Sequence, residues 1–216
     1  MLEIDRNSLH ARSGMAWWFL LGVAVLGLVW SGVAPHDQPT WALEVFPVVI
    51  ALPLLWFTRK RFPLTPMLYL LIAVHASILM LGGHYTYALV PLGDWARELL
   101  DLSRNPYDRV GHFAQGFVPA MIAREVLLRR TPLRRGGWLF FIVVCICLAI
   151  SACYEFLEWW TAVIMGGQAD AFLGTQGDVW DTQWDMFLAG CGAIAAQILL
   201  ARWHDRQLQP GYNKQQ

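Results

Sequence analysis

Three short stretches place ionisable side chains at helical spacing inside otherwise apolar sequence. In Tyr107-Asp108-Arg109-Val110-Gly111-His112-Phe113-Ala114-Gln115, the residues Asp108, His112 and Gln115 fall on one helical face. Ser151, Glu155 and Glu158 share a face in the stretch that runs to Trp160, and Asp178, Asp181 and Asp185 recur at i, i+3 and i+7. Carboxylates with an imidazole form a donor set suited to zinc, manganese or iron, and an oxygen-rich subset suits magnesium or calcium. On this reading His112, Glu155, Glu158 and Asp185 are the metal ligands. Asp108 and Gln115 support the His112 ring, and Asp181 or Asp178 acts as general base or gate.

Other readings of the same residues stay open. His112 is compatible with a hydrogen-bonded interhelical histidine, and Glu158 is near enough to a helix end to reach the headgroups. Asp178 and Asp181 have the residue type and place of helix caps. Arg109 would neutralise one acid by ion pairing, turning the group into a structural network. No single spacing here is as diagnostic as His-Glu-x-x-His. The signal is co-location: six carboxylates gathered around an imidazole at low dielectric repel one another unless a cation joins them.

The elements that must position these groups follow from composition. The 216 residues are 56% apolar and only 15% charged, with mean hydropathy +0.41. That is too apolar for a soluble domain of this size and leaves no material for an extramembrane catalytic domain. Sixteen basic and sixteen acidic residues cancel, and no basic stripe interleaved with aromatics runs along the chain, which argues against nucleic-acid binding. The four cysteines lie in apolar stretches and form neither a disulfide framework nor a zinc finger.

A membrane helix needs about 20 mostly apolar residues. The sequence predicts an all-α polytopic membrane protein with six transmembrane helices, over 15–33, 41–57, 62–81, 110–128, 138–165 and 184–203. This makes 1–203 one transmembrane domain and 204–216 a short, polar, frayed cytoplasmic tail. Gly82-Gly83 and Gly166-Gly167 are expected to stop the third and fifth helices. The first apolar run is longer than a signal-peptide core and carries Trp17, Trp18 and Trp30 near its ends, so it reads as an uncleaved span.

Charge fixes the expected orientation. With both termini cytoplasmic, the inner segments hold Arg6 and Arg12; Arg59, Lys60 and Arg61; Arg124, Arg129, Arg130, Arg134 and Arg135; and Arg202, Arg206 and Lys214. These are thirteen of the sixteen basic residues. The three acidic clusters then lie at one outer, periplasmic level and can converge.

Weaker features complete the reading. The outer loop from Gly83 to Arg109 contains Trp95, Leu99 and Leu102 at i, i+4 and i+7, predicting a short amphipathic surface helix capped by Asp94 and ended at Asn105-Pro106. His75 is expected to donate an interhelical hydrogen bond. His84, Tyr85 and Tyr87 stand at the outer level, where they are candidates to line the pocket. Cys145 and Cys147 are expected only to pack. Ala189, Gly190, Gly192, Ala193 and Ala196 offer a small-residue surface for close helix approach.

The segments 107–120, YEFLEWW at 154–160, and FLGTQGDVWDTQWDMFLAGCGA at 172–193 resemble the DUF2238 family of bacterial inner-membrane proteins. The resemblance implies a multi-pass inner-membrane location and no particular activity. More distantly, Asp108-x-x-x-His112-Phe113 and an Asp leading a Gly-Ala helix resemble the VanZ-like family. In that family an asparagine usually follows the last motif's aspartate by four residues, and here that position is Ala189. Three functional readings result: a metal-dependent enzyme acting on a lipid or lipid-linked headgroup, a cation or proton permeation protein, and a noncatalytic membrane scaffold.

Overall fold

The structure, a computed structural model, describes residues 6–166 and 170–208. Among these, every regular element is helical: α1 (Arg6–Gly32), α2 (Gln38–Thr58), α3 (Pro66–Tyr85), a 3-10 turn (Tyr87–Leu89), α4 (Pro91–Leu99), α5 (Tyr107–Arg130), α6 (Gly137–Met165), α7 (Asp170–Leu173) and α8 (Asp181–Leu208).

Local chemistry sets most boundaries. Asp37 caps α2, its carboxylate accepting a hydrogen bond from the Thr40 N–H at 2.8 Å. Proline occupies the first turn of α2, α3 and α4, where its missing N–H costs no intrahelical bond. Gly166, at φ +59°, terminates α6 as expected. Gly82 and Gly83 do not stop α3, which continues to Tyr85. They serve close packing instead: a side chain at Gly82 would strike the Tyr87 ring, and one at Gly83 would sit 3.1 Å from Glu44 Cβ of α2.

Five helices, α1, α2, α3, α6 and α8, are long and apolar enough to cross a membrane. The 24-residue α5, read from sequence as a further span, is as long but carries Asp108, Arg109, Arg124, Glu125, Arg129 and Arg130. It lies in the middle of the bundle against α3, α6 and α8. Most of its polar side chains are therefore turned towards protein, the arrangement ionisable groups require in an apolar medium.

The main core joins Trp17 and Leu20 of α1, Leu68 and Tyr69 of α3, Met121 and Leu128 of α5, Leu139 and Val143 of α6, and Ala193 and Ala196 of α8. The closest approach is between α5 and α8. A Cβ at Gly192 would lie 2.9 Å from the Phe117 nitrogen, and one at Gly116 would collide with the Ala189 carbonyl. The small-residue surface thus does what its composition suggests. Large apolar side chains such as Phe19, Leu26, Phe57, Phe141, Ile164 and Leu199 point outwards, as a lipid-facing surface would have them.

Helices α1, α2 and α3 pack as one group and α5, α6 and α8 as another, joined through α3 and α5. The gap left between α2 and α6 contains the cavity described below. The start of α1 and the end of α8 meet where the Arg12 guanidinium donates to the Gln207 carbonyl at 3.2 Å.

Two loop expectations are corrected. Helix α4 starts at Pro91, so Asp94 lies inside it, accepting from Asn105 Nδ2 and pairing with Arg97. It ends at Leu99 rather than at Asn105-Pro106, the chain turning left-handed at Asp101 (φ +51°), and Asn105 instead donates to the Val90 carbonyl from a fully buried position. Trp95, Leu99 and Leu102 are nonetheless all exposed, which keeps an apolar face on the surface. At the other end of the chain, 204–208 continue α8 rather than fray: His204 and Leu208 are buried. The remainder of the tail, 209–216, and Gly167 lie outside the described residues.

Candidate metal centre and its cavity

Helices α5, α6 and α8 bring the three acidic stretches together around one imidazole. His112 Nε2 lies 3.4 Å from Asp108 Oδ1 and 3.7 Å from Asp185 Oδ2, and Nδ1 lies 3.9 Å from Glu155 Oε1. All four side chains are buried. Two sets have the compactness of a metal site, with one donor atom from each residue within 4.8 Å of the others: Asp108, His112 and Asp185, and His112, Glu155 and Glu158. Gln115 Oε1 is 3.1 Å from Nδ1.

Two acid oxygens in this cluster, Glu155 Oε1 and Asp185 Oδ1, are buried without a hydrogen-bond partner, as is Ser151 Oγ. A buried acceptor without a partner costs about 1–3 kcal/mol, and more when charged. A cation or donor at this spot would satisfy the acid oxygens, while the buried Nε atoms of Arg104 and Arg109 nearby are orphaned donors of the opposite kind.

Asp178 and Asp181 are placed differently. Arg104 donates to Asp181 and to Asp108 (3.3 Å), and stands 3.6 Å from Asp178. Arg109 pairs with Asp178 at 3.1 Å, as the ion-pair reading anticipated. Asp178 also accepts from the Trp180 N–H, an Asx turn on the approach to α8 rather than a cap, since the helix starts three residues later at Asp181. Arg104 was missed by the sequence reading. Its signal was an arginine four residues before Asp108, hidden because loop residues preceding a helix show no periodicity.

Beside the cluster, a cavity of about 560 Å³ is walled by α2, α3, α5 and α6. Its polar end contains Glu44, Tyr87, Asp108, His112, Tyr154 and Glu158; deeper in it meets His75, Leu79, Pro119, Ile146, Ala149 and Ile150. Glu44 is a second residue missed by the sequence reading. It is buried on α2 with Oε2 3.4 Å from the Tyr154 hydroxyl. A single acid in an apolar helix carried no partner within reach along the chain, so only the tertiary fold could place it here.

His75 makes no interhelical hydrogen bond through Nε2, which is buried without a partner. The expectation fails because its neighbours in the wall are apolar. Of the outer aromatic group, Tyr87 lines the cavity and lies outside the spans, its hydroxyl pushed well up by burial. His84 instead bonds the Ser31 carbonyl through Nδ1 at 3.0 Å and packs on Trp30. Cys147 packs in the core and Cys145 is exposed; neither reaches the cluster.

A second polar cluster occupies the opposite end of α5. The Glu125 carboxylate, fully buried, accepts from Thr65 Oγ1 (2.9 Å) and Arg129 (2.5 Å), and pairs with His204 Nε2 at 2.9 Å. Arg124 bridges His204 Nδ1 and Asp205, and Arg129 also donates to the Pro63 carbonyl. The bonds here are complete, unlike those of the His112 cluster, which marks it as a structural lock.

The family profile described as "Predicted membrane protein (DUF2238)" matches residues 16–206. Among known proteins the chain is similar to "Inner membrane protein YjdF" of Escherichia coli (strain K12), with 57% identity over 182 residues, 84% of this chain and 87% of the relative. No solved structure matches significantly.

Proposed function

The chain belongs to the DUF2238 family of predicted membrane proteins, and from that premise we propose an inner-membrane protein with six spans and cytoplasmic termini. Its site is a divalent metal centre at the periplasmic level, acting on the headgroup of a membrane lipid or lipid-linked molecule. The contact between Arg12 and Gln207 puts the two ends of the bundle's chain side by side, which supports an even number of crossings with α5 as the sixth. The bias of thirteen basic residues towards that end supports the orientation, and the relative's name supports the inner membrane.

The observation that carries the metal reading is the set of buried donors, two of them without partners, around His112. Seven carboxylates gather here: Glu44, Asp108, Glu155, Glu158, Asp178, Asp181 and Asp185. Arg104, Arg109 and one imidazole are too few cations to balance them. His112, Asp108 and Asp185 would hold the ion, with Glu155 and Glu158 beside it. A bound zinc, manganese, iron or magnesium ion would polarise a phosphoryl or carbonyl oxygen, or activate water. Glu155 would take the proton, a role its unpartnered Oε1 supports. Asp178 and Asp181 hold Arg104 and Arg109 in position, because their oxygens are already engaged by guanidinium groups.

A permeation pathway has less support: between the His112 and Glu125 clusters, α5 buries Val118, Ala120 and Met121, which offer ions no polar route. The test is elemental analysis of purified protein beside His112→Ala and Asp185→Asn. The expected result is one equivalent of metal per chain in the unaltered protein and none in either variant. Absence of stoichiometric metal from the unaltered protein would overturn the reading.

A further inference from the structure

We infer that the cavity takes one hydrocarbon chain of a membrane amphiphile, entering sideways from the bilayer between α2 and α6. This deepens the headgroup reading above, and rests on it only for what happens at the polar end. The dimensions suit a chain. From Asp108 to Pro119 the cavity follows α5 for eleven residues, about 16 Å at 1.5 Å per residue, roughly half the ~30 Å of a hydrocarbon core. Its volume of about 560 Å³ falls within the ~300–1,000 Å³ of ligand pockets. Beyond the acidic end its wall is apolar apart from Gln115, Cys153 and His75.

The opening is lateral. Ile150, Cys153 and Leu157 line the cavity and are all exposed, in the middle of the apolar span α6. In a bilayer that side faces lipid chains. Among the described residues, α2 and α6 do not pack along one another. They meet at Tyr154, whose ring lies parallel to Phe46 at 6.5 Å and whose hydroxyl approaches Glu44.

The route from water is pinned shut by contrast. Arg104 donates to the Gly174 carbonyl at 3.1 Å, and Asn105 and Gln176 exchange two hydrogen bonds of 3.0 Å across the outer end. Helix α7 touches both α2 and α6 there. A chain drawn in from the bilayer would bring its headgroup to the level of His112, whose ring stands edge-on to Tyr154 at 6.3 Å.

The experiment uses full-length protein in vesicles of phosphatidylethanolamine and phosphatidylglycerol containing phosphatidylglycerol with a diazirine in one acyl chain. Irradiation and peptide mass spectrometry locate the adducts. Labelling is expected on Leu79 and Pro119, on the inner wall, as well as on outward-facing Phe141. Ala149→Trp, which fills the cavity, should remove the inner-wall adducts and leave Phe141 labelled; Ile146→Phe is the milder replacement should the first not fold. Asp185→Asn should lose metal but retain inner-wall labelling, so that failure of the metal reading and failure of this one are distinguishable. Excess polyprenyl phosphate either displaces the probe, assigning the chain to a lipid-linked carrier, or leaves it, assigning it to a phospholipid. Adducts confined to outward-facing residues in the unaltered protein would overturn the inference.

Discussion

Gln115 Oε1 sits 3.1 Å from His112 Nδ1, one helical turn along α5. With the ring in the tautomer that donates from Nδ1, the amide oxygen accepts that proton and the Nε2 lone pair faces Asp108 and Asp185, an arrangement that needs a cation between them. On the metal reading proposed above, this tautomer favours one of the two donor sets that share the imidazole. Nε2 would then be the ligating nitrogen, towards Asp108 and Asp185; the sequence reading places Asp185 among the ligands with Glu155 and Glu158, and Asp108 only as a support to the ring.

A partner that fixes the tautomer is worth about 10–100-fold in metal affinity. Gln115→Leu is therefore expected to weaken zinc or manganese binding by about that factor, and Gln115→Glu, which keeps an acceptor, to weaken it less. Equilibrium dialysis against each metal measures this. Equal affinity in all three proteins would mean that the ring is oriented by something else.

Asp181 and Asp185 lie one helical turn apart in α8 but do different work. Asp181→Asn loosens the hold on Arg104 and should lower the melting temperature in detergent. Asp185→Asn converts an acid with an orphaned oxygen into a neutral amide; it should cost little stability and abolish metal binding. The opposite pairing of effects would refute the division of roles.

Breaking the far cluster is a control on the near one. Removing the fully buried Glu125 carboxylate strands Arg129 and His204, and loss of one partner from a buried pair costs about 3–5 kcal/mol. Glu125→Leu should thus lower thermal stability markedly, while whatever protein folds should bind metal with unaltered stoichiometry.

Packing between α5 and α8 leaves no room for a methyl group. Overpacking typically costs about 1–3 kcal/mol, and Gly192→Ala would press on the backbone of Phe113 and Phe117 rather than on a movable side chain. A lowered melting temperature with a shift in His112-dependent metal affinity is expected, since the same two helices set the distance between His112 and Asp185. Gly22→Ala, where nothing lies within 4 Å, is the neutral comparison.

The Asp37 cap provides a pH test outside the spans. Its hydrogen bonds from Thr40 lower its carboxyl below the ordinary 3.8. A carboxylate whose pKa falls on folding contributes stability above its unfolded value and loses that contribution as pH drops through the folded one. Asp37→Ala should cost about 1 kcal/mol at neutral pH, and the difference from the unaltered protein should shrink only as pH falls below the ordinary 3.8 towards the lower folded value. Melting curves across that range measure it.

Sequence by itself determined the class of the molecule and much of its chemistry. Long apolar runs force helices, because lipid cannot satisfy exposed backbone groups, and the spacing in each polar stretch fixes which side chains share a face. His112, Glu155, Glu158 and Asp185 were legible for that reason. Orientation across the membrane was legible only as charge bias.

Tertiary structure decided the rest. Periodicity within one helix cannot say how that helix is rotated against another, so Glu44, Arg104 and the Glu125–His204 lock became visible only once separate elements were side by side. It also reassigned Gly82 and Gly83 from a stop to a packing contact, since a glycine's lack of Cβ serves either purpose and the neighbour decides which. The cavity between α2 and α6 has no sequence signature at all: it is defined by how little those two helices pack along one another beyond Tyr154, and that is a property of the assembled bundle.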